Sequence, residues 1–164
     1  METKFEIVPV PTRILTHHDD IVEAIVEYGG DKIGPDDVVC VAESVVAITQ
    51  GGAKRSEDFK PGLLAKVLCR LFPSKGSISG WHSMQALIDA EGGMRVLIAV
   101  ICGFAAKCVG VSGVFYRMAG EQARLIDDVT GTMPPYDKHI VYGPHNPSKV
   151  AEEITSGTGA FGAA

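Results

Sequence analysis

The side chains best suited to chemistry lie in one proline-rich segment near the carboxyl end. It holds adjacent acids at Asp127 and Asp128, a third acid at Asp137, and hydroxyls at Thr130 and Thr132. A rigid loop so rich in oxygen suits a hard cation such as Mg²⁺ or Mn²⁺ better than zinc or iron. The alternative is a rigid surface turn whose acids are solvated.

Three other groups of residues are candidates for binding. Tyr116 and Arg117 place an aromatic ring beside a cation, which fits either a ligand site or a strand with one buried face. His145 lies between two prolines, a backbone suited to a helix entry, capped by Asn146, or to a phosphate-binding turn. Trp81 fits the start of a helix or the lining of a pocket.

A further candidate is the run from His17 to Asp20. Two histidines and two acids in sequence are metal-ligand types, but neighbouring side chains diverge in direction. Asp19 is better interpreted as the N-cap of a helix.

The composition limits the class of protein. The 164 residues are 46% apolar and 21% charged, with a net charge of −5, enough for one domain with a hydrophobic core. No basic run indicates a nucleic-acid partner. The longest uncharged apolar run, Val96 to Ala106, is too short to span a bilayer. The first residues do not resemble a signal peptide, so we expect a cytoplasmic protein without a membrane partner.

The cysteines have no C-x-x-C spacing and lie among apolar neighbours, so we expect buried, reduced thiols rather than a zinc site. They are Cys40, Cys69, Cys102 and Cys108.

The apolar pattern predicts an α+β fold, with a mixed or antiparallel sheet packed against helices. Strands are predicted over residues 4–10, 36–46, 111–118 and 138–142. Helices are predicted over residues 19–28, 61–72, 84–91 and 147–154. Residues 95–107 fit a buried helix or a strand, and their length favours a helix. Neither standard nucleotide-binding fingerprint is present.

Several motifs, taken in order, resemble those of the coenzyme F-420-0:L-glutamate ligases (F-420 gamma-glutamyl ligases). They are the segments 5–10, 19–21, 34–41, 56–61, 118–128 and 143–154. Residues 76–108 have no counterpart in the ligases proper. The whole chain is similar to a shorter branch of ligase-like proteins.

The resemblance implies a specific reaction. GTP activates a carboxylate acceptor as an acyl phosphate, the amine of L-glutamate displaces phosphate, and two divalent metals (Mn or Mg) hold the phosphates. Asp127 or Asp128 matches a metal ligand of the family, and because adjacent side chains diverge, we expect one of them to be structural. The candidate metal ligands are Asp127, Asp128 and Asp137. The candidate nucleotide- and phosphate-binding residues are Thr49, Gln50, Gly51, His145 and Asn146. Tyr116 and Arg117 are the candidate substrate residues, and no catalytic residue is assigned.

Two departures weaken the match. Ile48 and Gln50 stand where the family has a lysine and a glutamate, so we expect weaker nucleotide binding than in a ligase with those residues. The segment from Gly159 to Ala164 matches one that leads into a further strand and an Asp-rich turn. We therefore expect a single ligase-like domain over residues 1–164 that is truncated at the carboxyl end and inactive alone. We also expect it to pair as a homodimer that covers the exposed apolar surface at that end.

Three functions remain open at this point. The first is a GTP- and metal-dependent amide ligase acting on small molecules. The second is a module with the same fold that binds metal or phosphate without catalysis. The third is a structural or oligomerising domain.

Overall fold

The computed structural model describes three stretches of the chain, residues 6–73, 76–128 and 134–164. Its first regular element is α1 (Ile21–Gly29), which follows an irregular segment containing Pro9 and Pro11. The strand predicted for residues 4–10 is wrong over the described part, because a proline lacks the backbone N–H that a strand donates.

The N-cap of α1 is Asp20 rather than the predicted Asp19. The Asp20 carboxylate accepts hydrogen bonds from two backbone N–H groups of the first turn, at 2.8 and 3.0 Å. Asp19 instead accepts from the Arg13 guanidinium at 2.9 Å and from the Thr16 backbone N–H at 2.7 Å. These hydrogen bonds, with that of Arg13 contributing most, hold the pKa of Asp19 well below its usual range.

The next elements are β1 (Val38–Val39) and α2 (Glu43–Thr49). The strand predicted over residues 36–46 is wrong beyond Val39, because the apolar run from Val45 onward belongs to a helix. The spacing of apolar residues alone does not distinguish a short buried strand from a short buried helix. The chain turns directly after α2, at Gln50 and Gly51.

After β2 (Ala53–Arg55) comes α3 (Leu63–Leu68), which continues into a 3-10 turn at Cys69–Leu71. The helix predicted here is confirmed, although Pro61 precedes it rather than occupying its first position.

Two longer helices follow, α4 (Trp81–Glu91) and α5 (Gly93–Cys108). Gly92 separates them with a φ of +89°, a conformation that favours glycine. Both predicted helices are confirmed, and Trp81 begins the first of them.

The chain then forms α6 (Val114–Met118) and α7 (Gln122–Leu125). The strand predicted over residues 111–118 is wrong. Phe115 of α6 packs so closely on α5 that a Cβ placed at Gly103 would lie 2.8 Å from the Phe115 Cβ. Helix packing therefore overrides the strand propensity of this apolar segment.

The last elements are β3 (His139–Val141), α8 (Pro147–Thr158) and β4 (Gly162–Ala163). The predicted strand and helix are confirmed, with Asn146 at the N-cap position of α8. The helix ends at Thr158 rather than at the predicted Ile154.

The strands form two separate pairs among the described residues. β1 pairs with β4 in parallel, and β2 pairs with β3 antiparallel. The α+β class is confirmed, with two two-stranded sheets rather than one larger sheet.

Two hydrophobic clusters divide the molecule. The larger one is built mainly from residues 59–126, here called the helical region, and has Met84, Leu87, Val96 and Ala99 fully buried at its centre. The remaining described residues form the mixed region. Its main cluster joins α1, α2 and α8 through Ile21, Val46, Val150 and Ile154.

The cysteines are free thiols, as predicted, but their burial differs. Cys69 is buried and Cys102 half-buried, whereas Cys40 and Cys108 are exposed, so burial was wrongly predicted for those two. Within the described stretches, no helix combines the length and apolar character needed to cross a bilayer.

Candidate functional site

Asp127 is held at the edge of the β2–β3 pair. Its backbone N–H donates to the Val141 carbonyl at 2.8 Å, and the Val141 N–H donates back at 3.0 Å. Val141 also pairs with Ala53, and directly opposed residues of antiparallel segments share a face. The Asp127 side chain therefore lies on the face that packs against Ala47 and Ile48 of α2.

The Asp127 carboxyl is half-buried and has no hydrogen-bond or ion-pair partner in the part of the chain that the structure describes. Burial raises the pKa of Asp127 above its usual value. Desolvation penalises the charged form of a carboxyl, and an adjacent cation reverses that penalty. The environment of Asp127 is that of an anion lacking a counter-charge.

Asp128 has a different environment, although it is the next residue. It is only 9% exposed, and a Cβ placed at Gly80 would lie 2.9 Å from its Oδ2 atom and 3.1 Å from the Ser83 Oγ. Its carboxyl therefore packs against the first turn of α4, whose N-cap residue Gly80 has no capping side chain. A negative charge stabilises a helix N-terminus, so Asp128 supports α4.

Asp137 is exposed on the segment before β3. Thr130 and Thr132 lie outside the described residues. Within those residues, no group of three or more His, Cys, Asp and Glu side chains is arranged to hold a metal ion. A metal site involving Asp127, Asp128 and Asp137 stays a prediction.

The predicted phosphate-binding residues come from two segments that the structure joins. The Gln50 side-chain amide donates to the His145 carbonyl at 3.0 Å, and the His145 N–H donates to the Gln50 Oε1 at 2.7 Å. This reciprocal pair, the Gln50–His145 clamp, connects the end of α2 to the start of α8 across 95 residues of sequence.

The other predicted phosphate-binding residues surround this clamp. The Thr49 hydroxyl donates to the Val46 carbonyl at 2.9 Å, and Gly51 turns the chain with a φ of +79°. Asn146 has a φ of +49° and makes no side-chain capping bond to α8. Binding of a nucleotide by these residues stays a prediction.

Tyr116 and Arg117 are exposed on α6 at the edge of a cavity of about 460 Å³. Ser77, Gly113 and Arg124 also line it. The cavity reaches Ile126, so it lies one residue along the chain from Asp127. The structure thus places the candidate substrate residues next to the candidate metal-ligand segment.

Sequence reasoning missed His139. Its Nδ1 atom is buried without a hydrogen-bond partner among the residues described, and its ring lies 5.3 Å from that of Tyr136. A buried polar atom without a partner indicates strain or a ligand contact. The position of His139 in the acid-rich segment could have marked it as a candidate site residue. The burial of its Nδ1 atom, however, cannot be read from the sequence.

The two acids of residues 17–20 have structural roles. Asp20 caps α1 and Asp19 pairs with Arg13, while the rings of His17 and His18 lie 3.9 Å apart.

The structure is that of an α+β domain with a desolvated carboxyl at Asp127 and a cation-lined cavity that includes the preceding residue, Ile126. The family model described as F420-0:Gamma-glutamyl ligase matches residues 9–159, so the chain belongs to that family. Its function is therefore gamma-glutamyl ligase-like. No curated protein and no solved structure matches the chain.

Proposed function

We propose that the protein joins L-glutamate to a carboxylate acceptor through an amide bond, using GTP and a divalent metal, Mn²⁺ or Mg²⁺. The observation that carries this proposal is the half-buried Asp127 carboxyl, which has no counter-charge within the described residues. It stands in a segment that resembles the metal-binding segment of the family to which the chain belongs.

The residues present fit a metal held partly by substrate. Mg²⁺ is usually bound by one or two protein carboxylates, with phosphate oxygens and water completing its shell. Asp127 would supply the first carboxylate, and Asp137 is the candidate for a second. The bound metal would supply charge stabilisation to the transferring phosphoryl group.

The start of α8 is the proposed contact for the nucleotide phosphates. The first N–H groups of a helix lack intrahelical partners and attract anions. In α8, Pro147 has no N–H, and the Lys149 and Val150 N–H groups donate to the Asn146 carbonyl, which leaves the Ser148 N–H without an acceptor among the described residues. The Gln50–His145 clamp fixes this end of α8 beside the turn that follows α2. The clamp would therefore position phosphate-binding backbone atoms rather than bind phosphate through Gln50 itself.

The proposed reaction has two steps. An oxygen of the acceptor carboxylate bonds to the γ-phosphorus of GTP, and the bond to the β-phosphate oxygen breaks to release GDP. The amine nitrogen of L-glutamate then bonds to the acyl carbon, the C–O bond to phosphate breaks, and the nitrogen loses a proton. The products are an amide, GDP and inorganic phosphate.

Nucleotide binding is proposed to be weaker than in a ligase with a lysine and a glutamate in this segment. Ile48 is 8% exposed in a hydrophobic cluster, and the Gln50 amide is engaged with His145. The missing charge-assisted contact costs about 1.5–3 kcal/mol, or roughly ten- to a hundredfold in affinity. Micromolar GTP affinity, measured by calorimetry, would contradict this expectation.

The test of the activity is the release of inorganic phosphate from GTP. This release should require L-glutamate, coenzyme F-420-0 and Mn²⁺ together. The sequence alone predicts a chain that is inactive by itself; we propose instead that the parent chain releases phosphate and that Asp127→Asn releases none above background. Asp31→Asn removes an exposed acid in the 3-10 turn that follows α1 and is the matched control, which should keep the parent rate. Equal rates for Asp127→Asn and the parent would refute the role of Asp127.

A second candidate is a module that binds metal or phosphate without catalysis. The burial of Ile48, where the family has a cation, favours it. Binding of Mn²⁺ and GTP without glutamate-dependent phosphate release would identify this function.

We also propose a homodimer, through α5 rather than the carboxyl end. Four large apolar side chains on one face of α5 are 46–70% exposed, namely Met94, Ile98, Ile101 and Phe104. At the carboxyl end β4 already pairs with β1. Ile101→Asp should convert a dimer to a monomer in light scattering, whereas Phe161→Asp, at a 77% exposed residue, should not. The opposite pattern would place the interface at the carboxyl end.

A further inference from the structure

The cavity beside α6 has a polar rim and an apolar floor. Tyr116, Arg117, Arg124 and Ser77 contribute polar groups, and Ile78 and Ile126 are buried apolar side chains beneath. Its volume of about 460 Å³ is within the usual range of small-molecule sites.

Arg117 and Arg124 have no hydrogen-bond or ion-pair partner among the residues that the structure describes. Arg13, Arg55 and Arg95 each pair with a carboxylate at 3.1 Å or less, whereas Arg70, which does not line the cavity, also lacks a partner within the described residues. In a chain with a net charge of −5, two unpaired guanidinium groups beside one cavity concentrate positive charge where acids are otherwise in excess.

The turn between these arginines is fixed from below by an ion pair. Glu91 accepts from the Arg95 guanidinium at 2.9 Å and from the Gln122 N–H at 2.9 Å, and Arg95 also donates to the Met118 carbonyl at 3.0 Å. A Cβ at Gly120, whose φ is +111°, would lie 2.0 Å from the Glu91 carboxyl. Both ends of the turn are therefore held, which limits how far α6 and α7 can separate.

We propose that this cavity binds a small organic acid with two anionic groups, one on Arg117 and one on Arg124. A guanidinium group binds carboxylate or phosphate through two parallel N–H donors, and each such contact is charge-assisted. Ile78 and Ile126 would pack against the carbon chain between the two acids, and Tyr116 also lines the cavity. The inference does not rest on the proposed ligase reaction, because binding requires neither metal nor nucleotide.

The ligand test is an NMR titration of the full chain without metal or nucleotide. The probes are glutarate with two carboxylates, 3-phosphonopropionate with one carboxylate and one phosphonate, and butyrate as the matched monoacid. We expect at least one of the two diacids to bind tenfold or more tightly than butyrate. The tighter one tells whether the second anion is a carboxylate or a phosphate-like group. Equal binding of all three would overturn the proposal.

The residue test uses Arg117→Gln and Arg124→Gln, which remove one exposed charge each and should leave the fold intact. Each should weaken diacid binding about tenfold or more and bring the diacid affinity close to that of butyrate. Lys32→Gln removes the same charge at the end of α1, away from the cavity, and should bind as the parent does. Parent-like binding by both arginine variants, or equal weakening by Lys32→Gln, would overturn the proposal. So would a parent chain that binds no diacid.

Discussion

The helical region and the mixed region offer opposite chemistry to a ligand. The mixed region offers a carboxylate oxygen ligand, because Asp127 lacks a counter-charge within the described residues. It also offers the start of α8, which the Gln50–His145 clamp fixes in place. The helical region presents cations, Arg117 and Arg124, at a cavity with an apolar floor. The two meet where Ile126 of the cavity precedes Asp127. This difference suits a metal with phosphates on one side and an organic acid on the other.

The regions also differ in their relation to the family motifs. Most segments whose motifs resemble the ligases lie in the mixed region, whereas residues 76–108, in which the sequence offers no such motif, fall within the matched residues 9–159 and form α4 and α5. These helices are the centre of the largest hydrophobic cluster rather than a surface insertion. The helical region is therefore needed for the fold as well as for the cavity.

The largest loss of stability is expected from creating a cavity in either hydrophobic core. Leu87 is fully buried in the helical region, and Ile154 is 3% exposed in the mixed region. Replacing either by alanine should cost about 2–5 kcal/mol. If the regions are one cooperative unit, each variant should show a single melting transition, shifted down by about 2–4 °C per kcal/mol. Two transitions, only one of them shifted, would show that the regions unfold independently.

A smaller effect is expected from the ion pair under the α6–α7 turn. The Glu91 side chain is 11% exposed and accepts two charge-assisted or backbone hydrogen bonds. Glu91→Ala should therefore cost about 2 kcal/mol in chemical denaturation. Glu57→Ala removes a similar pair with Arg55, in which Glu57 is 72% exposed, and should cost under about 0.5 kcal/mol. Equal losses would show that the turn is not held by Glu91.

The sequence predicted the elements whose signals are local. α1, α4, α5 and α8 have long apolar periods or clear boundary residues, and all were predicted. A strand was predicted at residues 111–118, but Val114–Met118 form α6. This helix packs against α5, a tertiary contact that the local sequence does not reveal.

The site was predictable to a similar degree. The sequence singled out Asp127 and Asp128 and required their side chains to diverge, but burial decides which one lacks a counter-charge. Arg124 and His139 were not assigned, because a shared cavity and an unpartnered buried nitrogen arise only on folding.

The smallest effect concerns Asp19 at the amino-terminal edge of the mixed region. Its pKa is lowered in the folded state, mainly by the hydrogen bond from Arg13. Its stabilising contribution is therefore present above the unfolded pKa of about 3.9 and is lost as pH falls toward the folded value. Asp19→Asn should lower the melting temperature slightly at pH 7, and the difference from the parent should shrink below about pH 4. A difference that grows on acidification would contradict this assignment.

The central claim is that Asp127, and not its neighbour Asp128, holds a divalent metal. The direct test is Mn²⁺ binding followed by electron paramagnetic resonance, in the presence of GTP, for Asp127→Asn, Asp128→Asn and the control Asp31→Asn. We expect Asp127→Asn to lose at least tenfold in Mn²⁺ affinity at an unchanged melting temperature. Asp128→Asn should lower the melting temperature through α4 while the folded protein still binds Mn²⁺, and Asp31→Asn should match the parent. Parent-like Mn²⁺ affinity in Asp127→Asn would contradict the account.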